Sequence, residues 1–66
     1  MTRAEAIRLL DPRTSIEAIA EIEYYNGFSG RAAAIQAIED ACEIACEAMR
    51  ILEENHEQDS STQRDL

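Results

Sequence analysis

The feature that most constrains the fold is the apolar periodicity of residues 30–55, GRAAAIQAIEDACEIACEAMRILEEN. Apolar side chains recur there at alternating spacings of three and four residues, which places them on one face of an α-helix. The sequence therefore predicts one long helix, from residue 30 to about residue 54, that carries most of the apolar surface of the chain. The residues of this stripe are Ile35, Ile38, Cys42, Ala45, Met49 and Leu52.

A first short helix is predicted over residues 3–10. Thr2 and Glu5 have the spacing of a capping box, in which each side chain satisfies a free backbone amide at the start of a helix. Pro12 indicates where the helix ends, because the residue before a proline is disfavoured in the α region. The predicted apolar face consists of Ala4, Ile7 and Leu10, widened by Ala6 and Leu9.

A second helix is predicted over residues 15–25. Thr14 and Glu17 repeat the capping-box spacing, and the pair Asn26-Gly27 is typical of a left-handed helix end. The connection to the long helix is so short that the second and third helices are expected to lie antiparallel as neighbours. The predicted core face of this second helix is Ile16, Ile19, Ala20 and Ile22.

These elements predict an all-α domain over residues 1–55, with a short N-terminal helix followed by an antiparallel helical hairpin whose C-terminal helix is long. Residues 56–66 are polar and are predicted to form a disordered tail. A chain of 66 residues seldom builds a sufficient core alone. We therefore expect a homo-oligomer, most simply a helical-bundle dimer.

The long helix is apolar at four of seven heptad positions, which is more than one neighbouring helix needs. Its internal seam is predicted along the alanine column, Ala34, Ala41 and Ala48, together with Ile35 and Ile38. The other apolar column is either covered by the first two helices within a monomer or faces outside it, and we expect the second arrangement. The predicted self-association residues are Ile44, Ala48, Ile51 and Leu52.

The charge is strongly acidic, with 14 acidic against 6 basic residues and a net charge of −8. This balance argues against direct binding to nucleic acid. The carboxylates on the outer face of the long helix are either a solvated surface or a row that imitates a phosphate track for a nucleic-acid-binding protein. The candidate residues are Glu39, Asp40, Glu43, Glu47 and Glu54, extended by Glu17 and Glu21 on the second helix.

All three aromatic residues fall around the turn between the second and third helices. Closing the end of the core is the ordinary role of such residues, and Phe28 is expected to pack onto the long helix near Ala33. Tyr24 and Tyr25 cannot both face inward, because adjacent helical residues point in different directions. With Arg31, the three aromatics form a second candidate site for a protein partner.

Two cysteines, Cys42 and Cys46, are four residues apart on the long helix, and His56 lies downstream. A zinc site usually has four protein ligands, and a thiolate nucleophile needs a histidine held beside it. We interpret both cysteines as buried small apolar side chains with reduced thiols. We expect no catalytic residue, metal ion or cofactor.

The opening MTRAEAIRLLDP and the later segment ACEIACEAMRIL resemble, over residues 1–52, short helical proteins of bacteriophages and related mobile elements. Small acidic proteins of that kind often inhibit host defence systems, as anti-CRISPR and other anti-defence proteins do. The resemblance implies a non-enzymatic inhibitor that docks as an acidic helical dimer onto a host defence protein.

Two other functions stay open. One is an oligomeric sponge that sequesters a nucleotide signal between Tyr24 or Tyr25 and the N-terminal arginines, and the other is a virion or assembly component. We find neither a secretory signal nor an apolar run long enough to span a membrane. The expected location is the cytoplasm of the host cell.

Overall fold

The computed structural model describes the backbone of residues 1–63 and the side chains of residues 1–55. Within that range the chain is all-helical, which confirms the predicted class, with a short N-terminal helix and a long third helix. The elements are α1 (Arg3–Leu10), α2 (Ser15–Asn26), a 3₁₀ turn (Gly27–Ser29) and α3 (Gly30–Gln63).

The ends of α2 and α3 differ from the prediction. Helix α2 ends one residue later, at Asn26, and α3 continues to Gln63 instead of ending near residue 54. The helical bounds of α3 thus overlap the first part of the predicted tail. Residues 64–66 lie outside the described residues, and disorder over residues 56–66 stays a prediction.

The start of α1 is the predicted capping box. The Thr2 hydroxyl accepts a hydrogen bond from the Glu5 amide at 3.1 Å, and the Glu5 carboxylate accepts one from the Thr2 amide at 3.3 Å. Asp11 caps the other end, where its own amide donates to the Ile7 carbonyl at 2.8 Å. An eight-residue helix is marginal in isolation, so these caps and its packing maintain it.

The predicted capping box at the start of α2 is wrong. The Thr14 hydroxyl caps no amide of α2 and instead donates to the Arg8 carbonyl at 2.7 Å. The carbonyls in the last turn of a helix have no partner within that helix, and Thr14 satisfies one of them. The bond links the start of α2 to the end of α1.

Two glycines shape the passage from α2 to α3. Gly27 has φ +55°, a conformation that side-chain-bearing residues rarely adopt. Gly30 is buried, and a Cβ atom placed on it would lie 2.5 Å from the Glu23 carbonyl oxygen. The first residue of α3 therefore touches the backbone of α2, which only a glycine allows.

The buried core is small and consists mostly of alanine. Helices α1 and α2 both pack on α3 around Ala41, which is completely buried. Alanine side chains let helix backbones approach closely but bury little apolar area each. The buried apolar residues are Ala6, Leu9, Ala18, Ala34 and Ala41, with Ile19, Ile22, Ala37 and Ile44 partly buried against them.

The faces that turn inward differ from the predicted ones. Ala34 and Ala41 lie in the seam as predicted, but Ile35 is 51% exposed and Ile44, predicted outside, packs against the core. On α1 the exposed residues include Ile7, and on α2 they include Ile16, so both predicted faces are partly wrong. The inward face of α3 is the alanine column because small side chains permit the closest helix contact.

The molecule is elongated. Its extents are 55 × 19 × 14 Å and its radius of gyration is 16.3 Å, against about 11 Å for a compact domain of this length. Long α3 accounts for the shape, because α1 and α2 cover only part of it. None of the helices in the described range has the length and apolar character that crossing a membrane requires.

Candidate functional site

The aromatic residues at the α2–α3 connection lie outside the core. Tyr24 and Tyr25 are 80% and 81% exposed, and Phe28 is fully exposed. The predicted roles in core closure, and the packing of Phe28 near Ala33, are therefore wrong. The contact of Gly30 with α2 explains this, because helices that meet backbone to backbone leave no room for an aromatic ring.

We call Tyr24, Tyr25 and Phe28 the aromatic end. The two tyrosine rings contact each other edge to face, with centroids 5.2 Å apart and an interplanar angle of 88°. This geometry is favourable for aromatic pairs and keeps both rings on the surface. Arg31, also exposed, follows on the first turn of α3, so the structure keeps the four predicted residues in one short stretch of the chain.

The carboxylates predicted on α2 are engaged within the molecule. Arg8 of α1 donates two hydrogen bonds to the Glu21 carboxylate, at 2.7 and 2.9 Å, and lies 3.6 Å from Glu17. The hydrogen bonds from Arg8 lower the pKa of Glu21, and the same bonds raise the pKa of Arg8. These ion pairs join α1 to α2, so Glu17 and Glu21 do not extend the acidic face of α3 as free charges.

The predicted carboxylates on α3 keep their charge on the surface. Glu43 and Glu47 are exposed, as are Glu39 and Glu54. Asp40 is half-buried and accepts a hydrogen bond from the Gln36 side-chain Nε2 at 3.1 Å. We call Glu39, Glu43, Glu47 and Glu54 the acidic row, which consists of α3 residues alone.

The cysteines are exposed, so their predicted burial is wrong for the single chain. Neither α1 nor α2 covers their side of α3, because both helices pack on the alanine column. Cys42 and Cys46 line a shallow groove of about 510 Å³ together with Glu43, Glu47 and Arg50. Among the described residues no group of three or more potential metal ligands comes together, and the side chain of His56 lies outside them.

A second groove, of about 430 Å³, runs between α1 and α3, and we call it the α1–α3 groove. Of the predicted self-association residues, Ile44 and Ala48 line it, whereas Ile51 and Leu52 lie exposed further along α3. The contribution of α1 was missed, because its apolar residues were all predicted to face inward. The lining residues are Arg3, Ala6, Ile7, Leu10, Asp11, Ile44, Ala45 and Ala48.

The charged residues of this groove are Arg3, the first residue of α1, and Asp11, its C-cap. Asp11 receives hydrogen bonds from the Arg13 side chain and amide, which lower the pKa of the Asp11 carboxyl and keep it ionised at neutral pH. Arg3 forms no salt bridge within residues 1–55. The groove is therefore apolar along its length, with a cation near one end of α1 and an anion at the other.

Comparison with protein-family models, curated protein sequences and solved structures finds no match. The candidate sites thus rest on the geometry of this chain. They are three open surfaces: the aromatic end, the acidic row and the α1–α3 groove. Surfaces of this kind are suited to contact with another macromolecule.

Proposed function

We propose that this chain is a non-enzymatic binding protein that docks on another protein through its aromatic end. The observation that carries the proposal is the exposure of Tyr24, Tyr25 and Phe28 in a chain whose core, within residues 1–55, contains a single large side chain, Leu9. Burying these aromatic rings would stabilise a chain with so small a core, so their position on the surface favours a role in binding. The resemblance to phage proteins suggests a host defence protein as the target.

The chemistry of the aromatic end fits a binding hot spot. Tyrosine and other aromatic side chains bury a large area with few rotatable bonds, and tyrosine also offers a hydroxyl for hydrogen bonding. The rings of Tyr24 and Tyr25 contact each other, which already restricts their rotamers and so reduces the side-chain conformational entropy lost on binding. Arg31, a residue type common at hot spots, stands beside them in the chain.

We propose that the acidic row is a second contact, for a basic channel on the target. Glu39, Glu43 and Glu47 are each four residues apart, which is a rise of about 6 Å along the helix axis, or about one turn. Such a rigid series of negative charges imitates the backbone of a nucleic acid and would steer the protein toward a nucleic-acid-binding partner. The net charge of −8 supports this contact with a basic surface.

We also propose that the active form is a homodimer in which α2 and α3 of each chain form an antiparallel hairpin. The contact between Gly30 and Glu23 and the packing of α2 on α3 support the hairpin. The size of the core supports the dimer, because four alanines and one leucine are its only buried apolar residues in the described range.

The test of the aromatic contact is affinity capture from the host with the wild-type chain, a Tyr24→Ser/Phe28→Ser variant and an Ile16→Ser control. Ile16 is 81% exposed near the other end of α2, so the control removes a comparable apolar surface elsewhere. We expect proteins captured by the wild type and the control to be lost from the double variant. With the purified partner, each aromatic substitution should weaken binding about thirtyfold. Equal capture by all three, or capture of no protein at all, contradicts the proposal.

The acidic row is tested separately with Glu43→Gln/Glu47→Gln. The control, Glu23→Gln, removes from α2 a carboxylate that forms no salt bridge within residues 1–55 and leaves the charges of α3 unchanged. Only the α3 variant should slow association with the partner, and the difference from wild type should shrink as salt is added. Binding that is indifferent to both salt and the α3 substitutions would leave the aromatic end as the sole contact.

The nucleotide sponge has less support from the geometry. The two tyrosines lie at the end of α2 and Arg13 lies just before its start, about 18 Å apart along the helix axis. Arg8 and Arg13 are also held by carboxylates of their own chain. One chain therefore does not bring these tyrosines and arginines together around a ligand.

A further inference from the structure

A row of residues on α1 and its C-cap lines one side of the α1–α3 groove. Arg3, Ile7 and Asp11 are spaced four residues apart, so they follow one another along a single helical face. All three line the α1–α3 groove, and Ile7 is 65% exposed there. The row therefore presents to the groove a cation, an isoleucine and a carboxylate, in that order, and the carboxylate of Asp11 is already paired with Arg13 of its own chain.

This row is complementary to itself. Arg3 and Asp11 lie at equal distances on either side of Ile7, about 6 Å along the helix axis. If a second α1 is laid antiparallel on the first, each Arg3 meets an Asp11, and Ile7 meets Ile7. A twofold interface requires such self-complementarity, because the same patch must serve both subunits.

The far wall of the groove, Ile44, Ala45 and Ala48, lets an incoming helix contact α1 and α3 together.

The other uncovered apolar surface of α3 fits a second copy less well. Ile35, Cys42 and Met49 form an exposed stripe with Glu39 and Glu43 beside it. Two such stripes packed together would bring acidic rows of the same sign close to each other, which opposes association. The α1–α3 groove avoids this repulsion, because its two charged residues have opposite signs.

We propose that a second copy of this chain occupies the α1–α3 groove, with a twofold axis passing beside Ile7 and Arg3 of each copy against Asp11 of the other. The inference rests on the self-association proposed above and adds its location and register. It does not involve the aromatic end, which stays free for a different protein.

Charge reversal tests the register. Arg3→Glu and Asp11→Arg each place like charges opposite one another twice in a homodimer, and we expect each to raise the dimer Kd about tenfold at low salt. An equimolar mixture of the two variants restores both opposite-charge pairs and should form a heterodimer with near wild-type affinity. Native mass spectrometry or sedimentation equilibrium measures the Kd of each homodimer and of the heterodimer. Variants that dimerise like the wild type, or a mixture no tighter than its components, would overturn the register.

Removing the central side chain tests the location. Ile7→Ser should raise the dimer Kd on the order of a hundredfold, because the residue is buried from both sides of the axis. Ile16→Ser, at an exposed position outside the groove, should leave the Kd unchanged. Far-UV circular dichroism at a concentration where both are dimeric checks that helix content is equal. Equal Kd values for the two variants contradict the groove.

The reactivity of the native cysteines distinguishes an interface at the α1–α3 groove from one at the Ile35–Cys42–Met49 stripe, without any substitution. Cys42 and Cys46 do not line the groove, so both thiols should react with a thiol reagent equally fast in dilute and concentrated protein. Protection of Cys42 in the dimer would assign the interface to the stripe and overturn this inference, while self-association itself would stand. A particle of 7.4 kDa at every concentration would instead refute the dimer as a whole.

Discussion

At the scale of single residues, Arg8 makes the most specific contact in the fold. Its guanidinium holds the Glu21 carboxylate through two short hydrogen bonds, and its backbone carbonyl accepts from Thr14. Bidentate, charge-assisted bonds of this kind fix geometry better than single contacts do. One residue of α1 therefore sets the position of α1 against α2.

The Arg8–Glu21 pair predicts a dependence of stability on pH. The pKa of Glu21 is lowered in the folded chain by the Arg8 hydrogen bonds, so its stabilisation is present above the ordinary glutamate value and is lost as the pH falls through the lowered one. Arg8→Gln should reduce the Tm at pH 7 by more than it does at an acid pH below the lowered pKa of Glu21. Thermal denaturation followed by circular dichroism, with Arg31→Gln as a control, measures this. An equal loss of Tm at both pH values would contradict the role of the pair.

At Gly30 we expect substitution by alanine to change stability in the direction opposite to that expected from helix propensity. Alanine usually stabilises a helix interior by about 1 kcal/mol relative to glycine. At Gly30 the added Cβ would meet the Glu23 carbonyl at 2.5 Å, so Gly30→Ala should destabilise the fold by about 1–3 kcal/mol. Urea denaturation measures the change. A neutral or stabilising Gly30→Ala would show that α2 and α3 do not approach this closely.

At the scale of elements, α3 decides what the other helices can do. Its alanine column receives α1 and α2, and its larger side chains, such as Ile35 and Met49, are left on the surface. Close backbone approach therefore takes precedence over burial of the largest side chains. The result is a helix with one covered face and further apolar surface available to a partner.

The alanine column predicts a position-specific response to larger residues. Ala41 is completely buried between helices, so Ala41→Leu should force them apart and cost about 1–3 kcal/mol. Ala32→Leu, the same change on an exposed position of α3, should alter stability by less than about 0.5 kcal/mol. Urea denaturation of both variants gives the comparison. Similar effects at the two positions would contradict the assignment of the seam.

At the scale of the whole molecule, a single chain buries few large apolar side chains. Leu9 is the one large side chain that is buried within residues 1–55, whereas every isoleucine is at least partly exposed. Burial of apolar area is the main source of folding free energy, so in the proposed dimer a second copy would contribute a large part of it. The proposal therefore implies that folding and association are coupled.

That coupling predicts a melting temperature that depends on concentration. Each tenfold dilution of the wild-type chain should lower the Tm by several degrees, because the dimer dissociates as it unfolds. Ile7→Ser should melt at a lower temperature and with a weaker dependence on concentration. Calorimetry across a hundredfold range of concentration gives the result. A wild-type Tm that is constant over this range would indicate a folded monomer.

The sequence by itself determined where the three helices begin. Capping at Thr2, the stop before Pro12 and the glycine at position 27 act within a few residues, and the spacing of apolar residues specifies the long helix. These signals depend on neighbours in the chain and hold whatever the tertiary contacts are. The three helix starts were accordingly predictable from the sequence.

Only the tertiary structure decided which faces meet. With four of seven heptad positions apolar on α3, periodicity permits several seams, and the choice depends on how closely backbones approach at Ala41 and Gly30. The same close approach excludes Phe28 from the core and leaves Ile7 at the edge of a groove. Helix formation depends on residues close in the chain, whereas the space between helices is filled by residues distant in the chain. Which side chains fit into that space decided which ones stay on the surface and form the candidate sites.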